Sequence, residues 1–314
     1  MENPAGPLAI PATKRLHFGW IALGCGLLHL AWCSVTELRS EHLVLDTVFM
    51  VTPWVGPRCQ QFMRMAFPLW LTGLMVDNQR FMHVLGAVHT GDIYQLDARL
   101  FPAGFEGHAL SWAERLSNHP SPVLDFFCGL AYLLFLVELI LIAIYLYVRG
   151  ERATFSAICW AFFVANAVGV VVWLLYPVAP PWYVLDHGFG PAMANPVPSA
   201  AGTVRFDALL HIHYFRDFYA RNPNVYGAMP SLHVAYPAIA TWYTWRRGWG
   251  WRTGTLIFTL WMGFSAVYLA HHYVLDVVAG YVTAVFACAV GSWWVSERFS
   301  RQETQLYKLH SNLR

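Results

Sequence analysis

Apolar residues gather in six long runs, at about 18–35, 124–148, 155–177, 231–247, 253–270 and 273–296. Each approaches the ~20 residues that a helix needs to cross about 30 Å of hydrocarbon. The polar breaks between them are uneven in charge. "RGER" (149–152), "RRGWGWR" (246–252) and the tail "SERFSRQETQLYK" (296–308) are short and basic, as is the flank holding Lys14 and Arg15. The positive-inside rule places all four on the cytoplasmic side. Six crossings satisfy this, with both ends of the chain inside. No small-residue cleavage site follows the first run, and in "LAWC" Trp32 stands where lipoprotein processing needs a small residue. The run therefore reads as a retained signal anchor.

Segment 36–123 must then begin and end on the outer side. Its only strong apolar piece, about 62–77, would break the parity as a single crossing, so a re-entrant or interfacial element is expected, paired with 43–56. "DNQRFMHVLG" (77–86) and "HALSWAERL" (108–116) mix charge and apolar residues at helical spacing, as helices lying in the interface do. The expected fold class is all-α integral membrane: one domain over 1–314, a six-transmembrane helical bundle with interfacial or re-entrant helices in 36–123.

Composition agrees with that pattern. The chain is 57% hydrophobic and 12% charged, about half the charge of a soluble domain. A net charge of +2 and the lack of a basic stripe exclude nucleic acid as a partner. The six cysteines are scattered without a CxxC pair, so they read as small packing residues and no metal or redox framework is expected. Many of the 15 Trp and 15 Tyr flank apolar runs, where the interface accounts for them.

Candidate chemistry collects where the topology brings three segments to the outer face: "LLYPVAPPWY" (174–183), the stretch Pro230–His233, and "LAHHYVLD" (269–276). His272 and Asp276 are four apart at a helix start, which puts an imidazole beside a carboxylate on one face. Such a pair fixes a tautomer and raises nucleophilicity; a surface ion pair at a helix end would read the same. Pro230 suits a first helical position, and Met229 caps poorly, so the N–H groups of Ser231, Leu232 and His233 are expected to lack internal partners. A helix start of that kind binds phosphate. One histidine is a candidate nucleophile, the other a candidate acid/base, with an anion pocket between them and neither metal nor cofactor required. "HIH" (211–213) has no third ligand and reads as an interfacial polar stretch. Trp182 and Tyr183, at the end of the first of the three segments, are candidates to line the pocket.

"PSLH" (230–233) followed by "SAVYLAHHYVLD" (265–276) resembles the signatures PSGH and SRxxxxxHxxxD of the type 2 phosphatidic acid phosphatase superfamily. Ser265, His272 and Asp276 fall in register, whereas Leu232 replaces the glycine and Ala266 the arginine, and the first motif, KxxxxxxRP, is missing. With "YPVAPPWY" (176–183), "GTVRFD" (202–207) and "GAMPSLH" (227–233), the chain resembles the aureobasidin-sensitive inositol phosphorylceramide synthases and their bacterial relatives over about 155–296, the expected catalytic core. The resemblance implies that His272 attacks phosphorus, Asp276 orients it, and His233 serves as acid and then base. It makes Arg205, ahead of Arg216 and Arg221, the candidate to neutralise phosphate, with Asp207, Pro230 and Ser231 beside it. It implies a phospholipid donor, phosphatidylinositol, and a lipid alcohol acceptor such as ceramide. The site would open to the non-cytoplasmic face of a bacterial inner membrane or the Golgi. The alternatives are a lipid-phosphate phosphatase with water as acceptor and a non-catalytic lipid-binding protein. Intact ionisable residues argue against the second, since they are expensive in a membrane.

Overall fold

A computed structural model describes residues 12–82, 84–104, 110–221 and 224–311. It is all-helical, with two isolated β-bridges and no strand among the described residues. The chain divides into two compact units, 1–70 and 71–314, a boundary inside the 36–123 segment.

The first unit holds α1 (Ala12–Val35), α2 (Ser40–Val55) and most of α3 (Pro57–Asp77). Phe18 and Ala22, one turn apart on α1, bury against Phe49 of α2 and Met63 of α3. Asp46 lies buried among them, and it is paired on both oxygens. His29 Nδ1 sits 2.6 Å from Oδ2, and Trp70 Nε1–H donates to Oδ1 at 3.0 Å. A buried carboxylate is tolerable only with such partners.

The second unit begins with α4 (Gly91–Leu100) and α5 (Trp112–Ser117). Then come α6 (Pro122–Val148), α7 (Arg152–Leu175), α8 (Pro181–His187), α9 (Val204–Leu210) and α10 (Tyr214–Tyr219). It closes with α11 (Leu232–Thr244), α12 (Trp249–Tyr268) and α13 (Val274–Ser311). α11 is its centre and touches α6, α7, α12 and α13. Its Val234, Ala235, Ile239 and Ala240 are buried, an i, i+1, i+5, i+6 stripe that fills the bundle. α7 and α13 approach through small residues: a side chain at Gly291 would meet the Ala157 carbonyl and Ala161. Helices pack this closely in membranes because lipid offers no competing hydrophobic drive. Cys128, Cys159 and Cys288 are buried, and all six cysteines are free.

Four helical stretches are long and apolar enough to cross a membrane: Phe18–Val35, Pro122–Val148, Arg152–Leu175 and Val274–Glu297. The expected count of six is not reached on this criterion. α11 has 13 residues, about 20 Å of helix. α12 has the length, but Arg252, Thr253, Thr255 and Thr259 dilute its apolar character.

The expected interfacial helix over 77–86 is corrected. Residues 78–81 make a single 3₁₀ turn, and the chain then runs extended, with His83 outside the described residues. The reason is pairing with the end of α7 and the loop after it. Leu85 N–H donates to the Leu174 carbonyl at 2.8 Å, and His89 N–H to the Pro177 carbonyl at 2.8 Å. Of 108–116, Trp112 onward is helical, capped by Ser111, whose Oγ accepts from Glu114 N–H at 3.2 Å; residues 108 and 109 lie outside the described residues.

Candidate active site

Backbone hydrogen bonds draw the three candidate segments together. Val178 N–H donates to the Tyr226 carbonyl at 2.8 Å, and Ala228 N–H returns to the Val178 carbonyl at 3.2 Å. Trp182 N–H donates to the Ala270 carbonyl at 3.0 Å, and Ser231 N–H to the Asp276 carbonyl at 3.0 Å. The last bond corrects the expected helix start. Ser231 is the N-cap, α11 begins at Leu232, and Pro230 precedes the cap in a cis peptide. Close contact with the first turn of α13 therefore satisfies Ser231 N–H. Its hydroxyl is fully buried with no hydrogen-bond partner.

The histidines form a line. His272 Nδ1 lies 2.8 Å from the Ala228 carbonyl, and His272 Nε2 lies 3.0 Å from His233 Nδ1. Tyr219 Oη lies 3.4 Å from His233 Nε2. A carbonyl only accepts, so His272 carries its proton on Nδ1 and presents a lone pair at Nε2. His233 Nδ1–H donates to that lone pair, and its Nε2 accepts from Tyr219. The line thus presents a nucleophile-grade nitrogen of His272 next to a ring nitrogen of His233.

Asp276 does not make the expected hydrogen bond to His272. Its Oδ2 is 3.6 Å from His272 Nδ1 and accepts instead from Tyr273 N–H at 2.8 Å. The carboxylate closes the first turn of its own helix, and Ala228 sets the tautomer. At 0% exposure the charge still acts on the imidazole through a low-dielectric interior.

A cavity of about 70 Å³, lined in part by Trp182, Ser199, Tyr219 and all three of His233, His271 and His272, opens beside this line. That is room for several waters or a phosphoryl group. The other sequence-predicted residues lie around it rather than in it. Tyr183 is buried behind Trp182, its hydroxyl accepting from Met193 N–H at 2.9 Å. Arg205 holds Asp125 Oδ1 through Nε at 2.6 Å, leaving Nη2 buried and without a partner. Asp207 caps α10, accepting from Phe215 N–H at 3.2 Å and Arg216 N–H at 3.0 Å. His211 and His213 are exposed on the turn between α9 and α10. Three contributors escaped the sequence reading: His271, masked by its neighbour in the "HH" doublet, and Tyr132 and Tyr219, which no motif singled out. The Tyr132 ring lies 4.6 Å from His233 and 5.0 Å from His271.

The model of the PAP2 superfamily matches residues 91–290. A phosphoinositol dihydroceramide synthase of Bacteroides thetaiotaomicron is 30% identical over 288 residues, 90% of this chain and 92% of that protein. The inositol phosphorylceramide synthase of Candida albicans is 30% identical over 52% of this chain and 35% of its own length. The catalytic subunit aur1 of the Schizosaccharomyces pombe synthase is 29% identical over 46% and 34%. No solved structure matches the chain. Four apolar helices and membrane-enzyme relatives make this an integral membrane protein. With the family model spanning most of it and a relative aligned over nearly its whole length, the chain belongs to the PAP2 superfamily.

Proposed function

We propose that the protein transfers a phospho-headgroup, inositol phosphate from phosphatidylinositol, to a lipid alcohol such as ceramide, through a phosphohistidine at His272. One observation carries this reading: the 3.0 Å pair of His272 Nε2 and His233 Nδ1, with the other nitrogen of His272 on a carbonyl. It supplies a nucleophile and a proton donor at one point.

His272 Nε2 attacks the donor phosphorus, forming an N–P bond as the P–O bond to diacylglycerol breaks. His233, which takes up a second proton from solvent as the anionic donor binds, passes one proton to the departing alkoxide and is left as the neutral imidazole. The acceptor hydroxyl then attacks phosphorus, its proton returns to His233, and the N–P bond breaks. The Asp276 charge stabilises His272 while it carries positive charge. Arg205 Nη2, a buried donor without a partner, supplies charge to the phosphate in place of the motif arginine that Ala266 replaces. Trp182 offers a ring face to the headgroup. Ser231, on the cap after Pro230, adds a hydroxyl. Asp207 and Tyr183 hold the surrounding loop. The site faces the non-cytoplasmic side, and α11 and α12 complete six crossings.

The test is to incubate purified protein with labelled phosphatidylinositol, with and without ceramide, and identify products by mass. Labelled inositol in a sphingolipid is the expected result. Free inositol phosphate or phosphatidic acid breakdown alone would identify a hydrolase instead.

A further inference from the structure

His233 has to serve twice, first as an acid and then as a base, and the two tasks need different states of one nitrogen. Its ring packs against Tyr132 at 4.6 Å and Phe135 at 4.9 Å, both on α6. Its edges carry the chemistry. Nδ1 lies 3.0 Å from His272 Nε2, and Nε2 lies 3.4 Å from Tyr219 Oη. Which nitrogen of a histidine is protonated follows from what the other one meets. The partner of Nε2 therefore decides what Nδ1 offers the substrate. Tyr219 is held in place to be that partner. It ends α10, whose first turn Asp207 caps through the Phe215 and Arg216 N–H groups. It is 7% exposed, lines the cavity and stacks on His271 at 4.7 Å. Burial, and then Tyr214, push the phenol above its ordinary range, so it keeps its proton.

The two histidines differ in what stands behind them. The Ala228 carbonyl only accepts, and it locks His272 in one tautomer. A hydroxyl both donates and accepts, and it lets His233 change. We propose that Tyr219 is a positioning residue that guides His233 through both of its steps. While Nδ1 carries the only ring proton, the hydroxyl donates to Nε2. The second proton, taken up as the donor binds, enters at Nε2, and the hydroxyl turns to accept it. Nδ1–H then goes to the departing alkoxide, which leaves Nε2–H on Tyr219 and a lone pair on Nδ1. That lone pair takes the proton of the acceptor hydroxyl as the N–P bond breaks. Catalytic hydrogen bonds are often as long as 3.4 Å before substrate binds, and they tighten with it. This rests on the proposed transfer reaction and assigns the group that orients its acid and base.

The experiment is a double-mutant cycle of Tyr219→Phe and His233→Ala. Tyr219→Phe keeps the ring on His271 and removes only the hydroxyl. Turnover of phosphatidylinositol with ceramide should fall about 10–100-fold, the worth of a hydrogen bond to a charged group, with KM little changed. The inositol nitrophenyl phosphodiester has a leaving group that needs no proton. From it, label should reach His272 at close to the wild-type rate and leave for the lipid alcohol more slowly by that same factor. In the His233→Ala background, Tyr219→Phe should cost nothing more. Equal losses in both backgrounds, or a Tyr219→Phe protein that takes no label from the nitrophenyl donor, would assign Tyr219 to packing and overturn the inference. Wild-type turnover in Tyr219→Phe would overturn it as well. Wild type that hydrolyses the donor, or transfers with no label on the protein, contradicts the proposed function instead, and the cycle still reads on the turnover that remains.

Discussion

In the proposed mechanism Asp276 acts on His272 by charge rather than by a hydrogen bond, and this sets the size of its effect. In a Ser-His-Asp triad, the Asp→Asn change costs about 10⁴ because the histidine adopts the wrong tautomer. Here the Ala228 carbonyl at 2.8 Å holds that tautomer regardless. Asp276→Asn should therefore lower kcat by about 10²–10³-fold, within the range of a lost proton-transfer aid, with KM little changed. Steady-state kinetics check this, and near-wild-type turnover would remove the charge from the mechanism. His233, His272 and Asp276 were legible because their spacing is a motif. Their partners were not: Ala228 contributes a carbonyl, and no side-chain pattern announces a carbonyl. His271 was hidden because one histidine of a doublet already accounted for the motif.

Between elements, the site depends on how closely α13 approaches α11. A methyl at Gly280 would collide with the Ser231 carbonyl and Val234. Gly280→Ala should cost about 1–3 kcal/mol of stability by overpacking. It should also cost about 10²-fold in rate, as a displacement of about 1 Å does. Thermal unfolding and turnover measured together test this, and a variant as active as the wild type would show that the contact has slack. α4 holds the other side of the same turn: Leu275 N–H donates to Asp97 Oδ1 at 2.8 Å. Burial, reinforced by the charge of Asp276 and opposed by that N–H, pushes the Asp97 carboxyl up to about 6. The folded chain thus holds this proton more tightly than the unfolded chain. From about pH 4 to 6 stability falls as pH rises, and the cost stays in full above that. Asp97→Asn should flatten this dependence and raise Tm at neutral pH; parallel wild-type and variant curves would contradict it. The long helices were legible from apolar runs. The pairing of residues 84–90 was not, because their backbone partners lie at the end of α7 and in the loop after it, about ninety residues on, and helical spacing over 77–86 pointed the wrong way.

For the whole molecule, the proposed orientation rests on the basic loops, and the face of the site follows from it. Cysteines introduced at Asp186 or Val197, both exposed, should react with an impermeant thiol reagent added outside intact cells. One at Arg149 should react only after permeabilisation. The reverse pattern would move the site to the cytoplasm. The number of crossings was hard to read from apolar runs, since α11 has 13 residues and α12 is polar-speckled. The central claim is a covalent intermediate on His272, and trapping it tests this most directly. Protein is mixed with a phosphoinositol donor labelled in its phosphate, without acceptor, then quenched, digested and mapped. An activated nitrophenyl donor is run in parallel. The natural leaving group needs the His233 proton, worth about 10²–10⁴, and a nitrophenolate does not. His233→Ala should therefore accumulate acid-labile label on the His272 peptide from the nitrophenyl donor but little from the lipid, and His272→Ala should carry none from either. Label on His233 in the His272→Ala protein, or full transfer with no protein-bound label at any time, would contradict the account.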